Sequence, residues 1–558
     1  MTWNKSNLAK YGYDLVMATT QASINATMKE YLSALKEPEV AICYVADQQG
    51  NPTRIGYCEL KRLAHGSDPF TTPDGANPAT DQNVINLVAA RFMVGFKARI
   101  GLPPGIPPRE VPDIVILGDN TAAVSFNLMC AEFIVVQYIL AGYGNPAAWM
   151  NKSQPSGHPW IFGSKVDIRL STTERNAYNT LPPDVQKQIK NLGTDAFSVK
   201  QLLFDLDNAT LQTMPTISGV DPSSHLYNVL QRYFQNIYIQ NLKANGQPVL
   251  GAAILPGNSA SFTTAPTDLN FEINPLLDTN GHPFRNPTKD QQKLTTLNYL
   301  LAVDGHTLPP ASPFTWNWIE PNEAAEYHGV IAMKSDTFWD QLLNNLKGYN
   351  RQFCRLPWTY VKWNGSFYGV KWSLNEDPHP NFPENSKPGA PYHFKYEKEA
   401  SASDQYGFSL KAWMIIRLTY VFDLTLDSST NTISINQQLA VYVYAGSSYQ
   451  HFEGNVLDKA IKTTYELRVS EDGKIVPNVT SKITRDAGVT PDRRYNDAYN
   501  VASAVSGFAQ RMAKYSYHPP IAAFQSLIFP GGITFFFKKI GFSDSLDLVT
   551  HITYRDPR

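Results

Sequence analysis

Residues 11–35 read "YGYDLVMATTQASINATMKEYLSAL", and the prediction of the fold begins from this stretch. Several of its residues recur at the three- and four-residue spacing that places side chains on one face of a helix. They are Met17, Thr20, Ile24, Met28, Tyr31 and Leu35. Asp14 suits the N-cap position, and Pro38 ends the run. The other face carries mostly Thr, Ser, Asn and Gln rather than charge. We therefore predict one long helix whose stripe packs against another element.

The composition limits the class of protein. The chain has 558 residues, too many for one ordinary core, so two or more domains are expected. Charged residues make up 17% of it, below the average of about 25% for soluble proteins. The 48 basic and 49 acidic residues give a formal net charge of -1. We therefore expect no nucleic-acid partner and no general attraction to an anionic membrane.

The cysteines are Cys43, Cys58, Cys130 and Cys354, and they form no CxxC pair. We predict no metal site and no cofactor, and we expect buried free thiols rather than a disulfide framework. The first ten residues lack the apolar run of a secretory signal, and no stretch approaches the ~20 apolar residues that span a bilayer. The expectation is a soluble protein made in the cytoplasm, without a transmembrane segment, with non-classical release left open.

The first part of the chain predicts strands between two helices. Residues 91–100, "RFMVGFKARI", alternate between apolar and polar, as in a half-buried strand. Residues 113–133 predict two strands joined at Gly118-Asp119-Asn120. A second helix is predicted at residues 223–246. Residues 1–245 therefore form a first helix-strands-helix unit.

The same plan recurs after a proline-rich connecting segment of strands at 246–334. A helix with Ser335 or Asp336 as its cap precedes long alternating strands and a hairpin that turns at Asp472-Gly473. A helix at residues 493–515 follows them, so 335–558 form a second unit. We predict an α+β fold in which each long helix lies against a curved antiparallel sheet. The interior of each roll is either fully packed or open to an apolar ligand.

A search for catalytic patterns finds no GxSxG, HExxH, Walker loop or GxGxxG, so we predict no catalytic residues and no enzyme. Asp205 and Asp207 are interpreted as polar strand residues, with a metal pair as the alternative. Asp544 and Asp547 near His551 are interpreted as turn and cap residues, with a catalytic triad as the alternative.

Aromatic residues offer a different kind of site. Trp316 and Trp318 are predicted to share one strand face, and so are Trp358 and Tyr360. Core packing is one interpretation of these pairs. The other is an exposed platform that contacts a membrane or a carbohydrate.

The segment "FFFKK" at residues 535–539 combines apolar and cationic groups. Alternation would place Phe535 and Phe537 on one face of a strand and Phe536 and Lys538 on the other. A strand end and a membrane-docking tip are both open interpretations. The candidates for membrane contact are therefore Trp316, Trp318, Phe536 and Lys538.

Several segments resemble the clostridial neurotoxin-cluster proteins called OrfX and the forty-seven-kilodalton protein. They are "YGYDLVMATTQASINATMKEYL", "FSVKQLLFDLDNATLQTMPTI", "LNYLLAVDGHTLPP" and "FTWNWIEPNEAAEYHGVIAM". The ending "FPGGITFFFKKIGFSDSLDLVTHITY" looks like a closing segment of bacterial and fungal relatives. That family is similar in fold to the tubular lipid-binding (TULIP) superfamily, in which a curved antiparallel sheet wraps a long helix.

The resemblance implies two TULIP-like modules and a role in lipid binding or in toxin gene clusters. In a hollow module, Met17, Ile24, Met28 and Phe96 would line an apolar ligand slot. The leading hypothesis is a soluble, non-enzymatic protein that binds a lipid or another apolar ligand. The alternative is a toxin or toxin accessory, insecticidal activity included, that acts on membranes or in a complex with proteins from the same gene cluster.

Overall fold

The structure is a computed structural model of the chain. It describes residues 3–33, 39–107, 110–118, 123–142, 144–174, 186, 197–204, 216–233, 249–256, 266–384, 386–513, 527–528 and 535–554.

Strands outnumber helices in the described residues, and the α-helices range from 4 to 18 residues. The helices are α1 Leu8–Tyr11, α2 Gln21–Ser33, α3 Tyr57–Leu63, α4 Gln82–Ala89, α5 His225–Tyr233, α6 Lys289–Gln292, α7 Ser335–Asn350 and α8 Asn496–Ala513. The strands up to the middle of the chain are β1 Leu15–Thr20, β2 Glu39–Ala46, β3 Pro52–Ile55, β4 Phe92–Ile100, β5 Val115–Leu117, β6 Ala123–Leu128, β7 Cys130–Ile139, β8 Ala148–Ser153, β9 Ile161–Glu174, β10 Phe197–Phe204, β11 Thr216–Ser218, β12 Val249–Pro256 and β13 Pro266–Asn274. The remaining strands are β14 Thr296–Val303, β15 Gly329–Met333, β16 Arg355–Trp363, β17 Tyr368–Glu376, β18 Tyr392–Tyr406, β19 Leu410–Asp427, β20 Thr432–Ser447, β21 His451–Val469, β22 Ile475–Asp486, β23 Leu527–Ile528, β24 Phe536–Phe542 and β25 Leu548–Thr553.

The single helix predicted at residues 11–35 is wrong in its first half. Residues 15–20 form β1, which pairs antiparallel with β14 on one side and β15 on the other and is buried throughout. Helix α2 begins only after it, where the Thr20 hydroxyl accepts a hydrogen bond from the Ser23 N–H at 3.2 Å. Asp14 is therefore not an N-cap; its carboxylate accepts from the Val303 N–H at 3.0 Å. Hydrogen bonding to β14 and β15 outweighs the helical preference that the spacing of these residues suggests.

Strand β1 belongs to a central sheet with the order β13-β14-β1-β15-β25-β24. Strands β1, β14, β15 and β25 are buried along their whole length, so elements cover both faces of this sheet. One face packs into a continuous cluster of buried apolar residues that includes Met17 and Tyr420, called the main core below. The other face packs into a smaller cluster around Trp316 and Trp318, called the aromatic core.

Two further sheets consist of strands from the first half of the chain, apart from β23. One has the order β3-β2-β4-β7-β8, with α3 and α4 packed against it. The other has the order β23-β12-β10-β9-β6-β5, with β11 also pairing with β9. Strand β4 confirms the strand predicted at 91–100, and β5 with β6 confirms the pair predicted after residue 113. Helix α5 covers the start of the helix predicted at 223–246; the rest of that helix lies outside the described residues.

The second half of the chain contains the longest strands. Strands β18 to β22 pair in sequence order, and β21 runs for 19 residues. Burial alternates along β19 and β20 as predicted, and β21 and β22 turn at Asp472-Gly473. Helix α8 packs against β20 and β21, and the β16-β17 hairpin packs beside β18 and β19. The inner face of this sheet belongs to the main core.

Antiparallel sheets with few helices fit the α+β class that the sequence predicts. The arrangement of two helix-wrapped modules stays a prediction, as do the ranges 1–245, 246–334 and 335–558. The central sheet takes β1 from the first range, β13 to β15 from the second, and β24 and β25 from the third. Its hydrogen bonds therefore join all of the ranges.

Among the described residues, no helix has both the length and the apolar character needed to cross a membrane.

Candidate apolar ligand site

The structure brings the four predicted ligand-lining residues into one buried cluster. Met17 lies on β1, Ile24 and Met28 lie on α2, and Phe96 lies on β4. All four side chains are buried and belong to the main core. The sequence reached this grouping although it assigned Met17 to a helix. Their role in lining a ligand slot stays a prediction.

Helix α2 is held in place by its uncharged polar face. The Asn25 Oδ1 accepts hydrogen bonds from the Ile114 N–H at 2.6 Å and the Val115 N–H at 2.8 Å. Its Nδ2 donates to the Val115 carbonyl at 2.7 Å, and Gln21 Oε1 accepts from the Leu117 N–H at 2.8 Å. Strand β5 lies at the edge of its sheet. These amides therefore pair with its free backbone N–H and C=O groups, as a neighbouring strand would. This face is polar but uncharged because it is buried and hydrogen-bonded.

The triad alternative at the end of the chain is not assembled. Asp547 is buried and accepts from the Leu8 N–H at 2.7 Å, the Ser6 hydroxyl at 2.8 Å and the Ser335 N–H at 3.1 Å. Burial raises the pKa of this carboxyl, against the effect of these hydrogen bonds. His551 is also buried, and neither ring nitrogen has a hydrogen-bond partner among the described residues. Burial and the nearby Lys539 lower the pKa of His551 to about 3. Asp547 is thus a cap residue.

Trp316 and Trp318 are placed away from the surface. Their side chains are 3% and 1% exposed, with the ring centroids 5.3 Å apart in an edge-to-face arrangement. The chain around them forms no strand, so the predicted shared strand face is wrong. This segment instead covers the second face of the central sheet, where the rings pack with Phe314. The core-packing interpretation describes them, and their membrane contact is not supported.

The other two membrane candidates lie on β24. Phe536 is half-buried and Lys538 is exposed, whereas Phe537 is buried. The Phe537 N–H donates to the Gly473 carbonyl at 2.9 Å, so this strand starts against the turn between β21 and β22. Phe536 therefore fits the strand-end interpretation, while Lys538 remains at the surface. The metal-pair candidates Asp205 and Asp207 lie outside the described residues.

A polar group inside the main core was missed from the sequence. The hydroxyl of Tyr420 lies 2.9 Å from Asn350 Oδ1 and 3.0 Å from Gln437 Oε1, and all three residues are buried. The neighbours on the same strand faces are apolar: Leu418, Phe422, Ile435 and Leu439. Among the described residues, Asn350 Nδ2 has no hydrogen-bond partner. Gln437 alternates in step with Ile435 and Leu439 along β20, and this spacing is the sequence signal that marks it as a polar residue in an inward-facing apolar row.

Exposed aromatic residues form a second feature, of which the sequence analysis identified only two residues. Trp358 and Tyr360 are exposed on β16, with parallel rings 6.2 Å apart, which fits the platform interpretation. Further exposed rings lie at the turns beyond this strand: Phe367, Tyr406, Phe408 and Tyr449. Turn residues carry no periodic pattern, so nothing in their spacing marks them.

Comparison with known proteins finds similar solved structures. No protein-family profile matches the sequence, and neither does any curated protein. P47 of Clostridium botulinum E1 has a TM-score of 0.40 and 9% identity, and the match covers 98% of this chain and 100% of that one. P47 from Clostridium botulinum A2 has a TM-score of 0.34 and 11% identity, and the match covers 97% of each chain.

This chain is similar to P47. The resemblance to the forty-seven-kilodalton protein drawn from the sequence is thereby confirmed as a resemblance. A lipopolysaccharide binding protein is also similar, with a TM-score of 0.25 and 8% identity over 97% of this chain and 99% of that one.

Proposed function

We propose that this chain is a non-enzymatic protein that binds a lipid or another apolar molecule in its main core. The observation that carries the proposal is the Asn350 amide. It is buried at the end of α7 among apolar side chains, and its Nδ2 has no hydrogen-bond partner among the described residues. Buried donors are rarely left unpaired, because each one costs about 1–3 kcal/mol. An amphiphilic ligand with a carboxyl or ester head, which offers hydrogen-bonding oxygens, would satisfy this amide.

The surroundings of Asn350 support an amphiphile over a polar ligand. Apolar ligand sites are lined by hydrophobic side chains with a few polar groups that fix orientation. Tyr420 and Gln437 supply such groups beside Asn350, and the other inward-facing residues of β19 and β20 are apolar. Met17, Ile24, Met28 and Phe96 belong to the same continuous core and would contact the acyl part. The toxin or toxin-accessory alternative stays a prediction.

The test is binding of fluorescent fatty acids to the full chain. Affinity should rise with acyl chain length, because apolar burial contributes about 25 cal/mol per Å². It should change little with salt, because the site is buried. Asn350→Ala should weaken fatty-acid binding about tenfold through loss of one hydrogen bond, while a hydrocarbon probe without a polar head should be unaffected.

Asn344→Ala provides the matched control, because Asn344 lies on the same helix but is exposed. Thermal unfolding of both variants would verify that they remain folded. Absence of fatty-acid binding at micromolar ligand, together with no lipid in native mass spectra of the purified chain, would disprove the proposal.

A further inference from the structure

Three hairpin turns meet at one end of the long-stranded sheet. They are residues 364–367 between β16 and β17, 407–409 between β18 and β19, and 448–450 between β20 and β21. The Trp363 ring stacks on the Tyr406 ring, with the two ring centroids 4.9 Å apart, and this contact joins the first two turns. The Ser448 N–H donates to the Lys411 carbonyl at 2.9 Å, which joins the last two. We call this set of turns the aromatic end.

Each turn brings an aromatic ring to the surface, either within the turn or directly beside it. The exposed fractions are 63% for Phe367, 55% for Tyr406, 106% for Phe408 and 77% for Tyr449. None of these four residues belongs to the main core, so their rings are not needed for its packing. A cluster of exposed rings of this kind marks an interaction surface.

The charges around the aromatic end are arranged behind the rings. The three turns contain no charged residue, whereas Lys362, Lys371 and Lys411 lie within a few residues of them on β16, β17 and β19. Two acidic residues lie among these lysines, Asp404 and Glu453, and Asp404 pairs with Lys362 at 3.7 Å. Asp404 accepts from the Trp363 N–H at 2.7 Å, and Glu453 accepts from the Tyr442 hydroxyl at 2.9 Å. The three lysines outnumber the two acids, so the collar behind the rings carries a small excess of positive charge, which complements phosphate groups.

A groove opens on the outer face of the sheet just behind the turns. Its volume is about 480 Å³, and its walls include Ser401, Ser403, Lys411, Trp413 and Tyr444. The rings of Trp413 and Tyr444 are stacked, with their centroids 5.2 Å apart. One ammonium, two hydroxyls and an aromatic wall match the size and chemistry of a phosphate-containing headgroup.

We infer that the aromatic end docks on a phospholipid bilayer. Phe367, Phe408 and Tyr449 enter the headgroup region, and the lysine collar lies against the phosphates. Aromatic rings backed by lysines are the pattern found at membrane-water interfaces. A protein partner would need a flat or grooved patch of about 800 Å² on each side, whereas these rings stand on separate turns that project beyond the strands. This docking does not depend on a ligand in the main core.

Co-sedimentation of the full chain with vesicles tests the docking. Two compositions are used, phosphatidylcholine alone and phosphatidylcholine with phosphatidylglycerol, and both should bind, the second more tightly. The triple variant Phe367→Ser, Phe408→Ser and Tyr449→Ser should lose at least about tenfold in partitioning, because it removes the inserted apolar surface. The control is Leu140→Ser, since Leu140 is 72% exposed and follows β7 in a different sheet. Equal partitioning of the triple variant and the unmodified chain would overturn the inference.

A site-specific probe locates the contact. An environment-sensitive dye on Phe408→Cys, in a Cys58→Ser background, should brighten when vesicles are added, and the same dye on Leu140→Cys should not. Equal responses at the two positions would contradict docking through this end. A chain that binds fluorescent fatty acids but ignores both kinds of vesicle would retain the proposed function and refute the docking.

Discussion

The carboxylate of Asp547 accepts a hydrogen bond from the Leu8 N–H at 2.7 Å, although 539 positions separate the two residues. The same side chain accepts from the Ser335 N–H at the start of α7. The sequence predicted Ser335 or Asp336 as that cap, but the N-cap is Lys334 and it makes no side-chain cap bond. One carboxylate near the end of the chain therefore caps two helices.

Asp547→Ala should destabilise the fold by about 2–4 kcal/mol, because it leaves buried N–H groups of both helices without an acceptor. Asp547→Asn should cost less, since its amide oxygen still accepts. Chemical denaturation measures both changes, and Asp544→Ala is the control because Asp544 is exposed. A loss no larger than that of the control would show that the caps contribute nothing.

The free edge of β5 gives a second prediction. Asn25→Ala should lower the free energy of unfolding by about 2–4 kcal/mol, because the Ile114 and Val115 N–H groups lose their acceptor in a buried environment. Asn83→Ala, at an exposed position on α4, should change it by less than about 0.5 kcal/mol. Denaturant midpoints compare the two, and equal midpoints would refute the role of Asn25.

Glu272 predicts a pH dependence of stability. It is buried on β13 opposite Asn298, and neither side chain has a hydrogen-bond partner among the described residues. Burial raises its pKa from 4.5 to about 8. The folded state therefore keeps a proton that the unfolded chain releases, so this contribution to stability is complete below pH 4.5 and is lost as pH rises to about 8.

Glu272→Gln should abolish that loss, because the amide is neutral at every pH. The variant should melt at a higher temperature than the unmodified chain at pH 8 and near the same temperature at acidic pH. Glu384→Gln, at an exposed position, should show no such difference. A Glu272→Gln variant that melts below the unmodified chain at pH 8 would mean that the carboxylate is ionised and paired.

The cysteines give a prediction that corrects the sequence analysis. Cys43, Cys130 and Cys354 are buried as expected, but Cys58 is exposed at the start of α3. Burial raises the pKa of Cys43 and of Cys354 to about 12, which suppresses their thiolates. A thiol reagent should label one site in the native chain and the other three only after denaturation. Cys58→Ser should remove the native label; labelling that survives this change would place another thiol at the surface.

The local sequence pattern predicted the structure correctly where strands are long and half-buried. Strands β4, β19 and β20 alternate over many residues, so one face meets the core and the other meets water whatever the partner strand is. The hairpin turn at Asp472-Gly473 was predicted for a related reason. Gly473 has φ of 72°, a conformation that favours glycine. The glycine in the sequence therefore indicates the turn directly.

Local pattern failed where an element is buried on every side. Residues 15–20 satisfy a helical spacing, yet β14 and β15 offer them hydrogen bonds on both edges, and no sequence period records that. Trp316 and Trp318 were uncertain for the same reason, because whether a ring is exposed depends on what covers it. The sequence by itself determined the sheet-rich class, the inward faces of the long strands and the apolar stripe of α2. Only the tertiary structure decided that β1 is a strand, that Asp547 caps two helices and that aromatic turns gather at one end. Each of these depends on contacts between residues far apart in the chain, which no local period can encode.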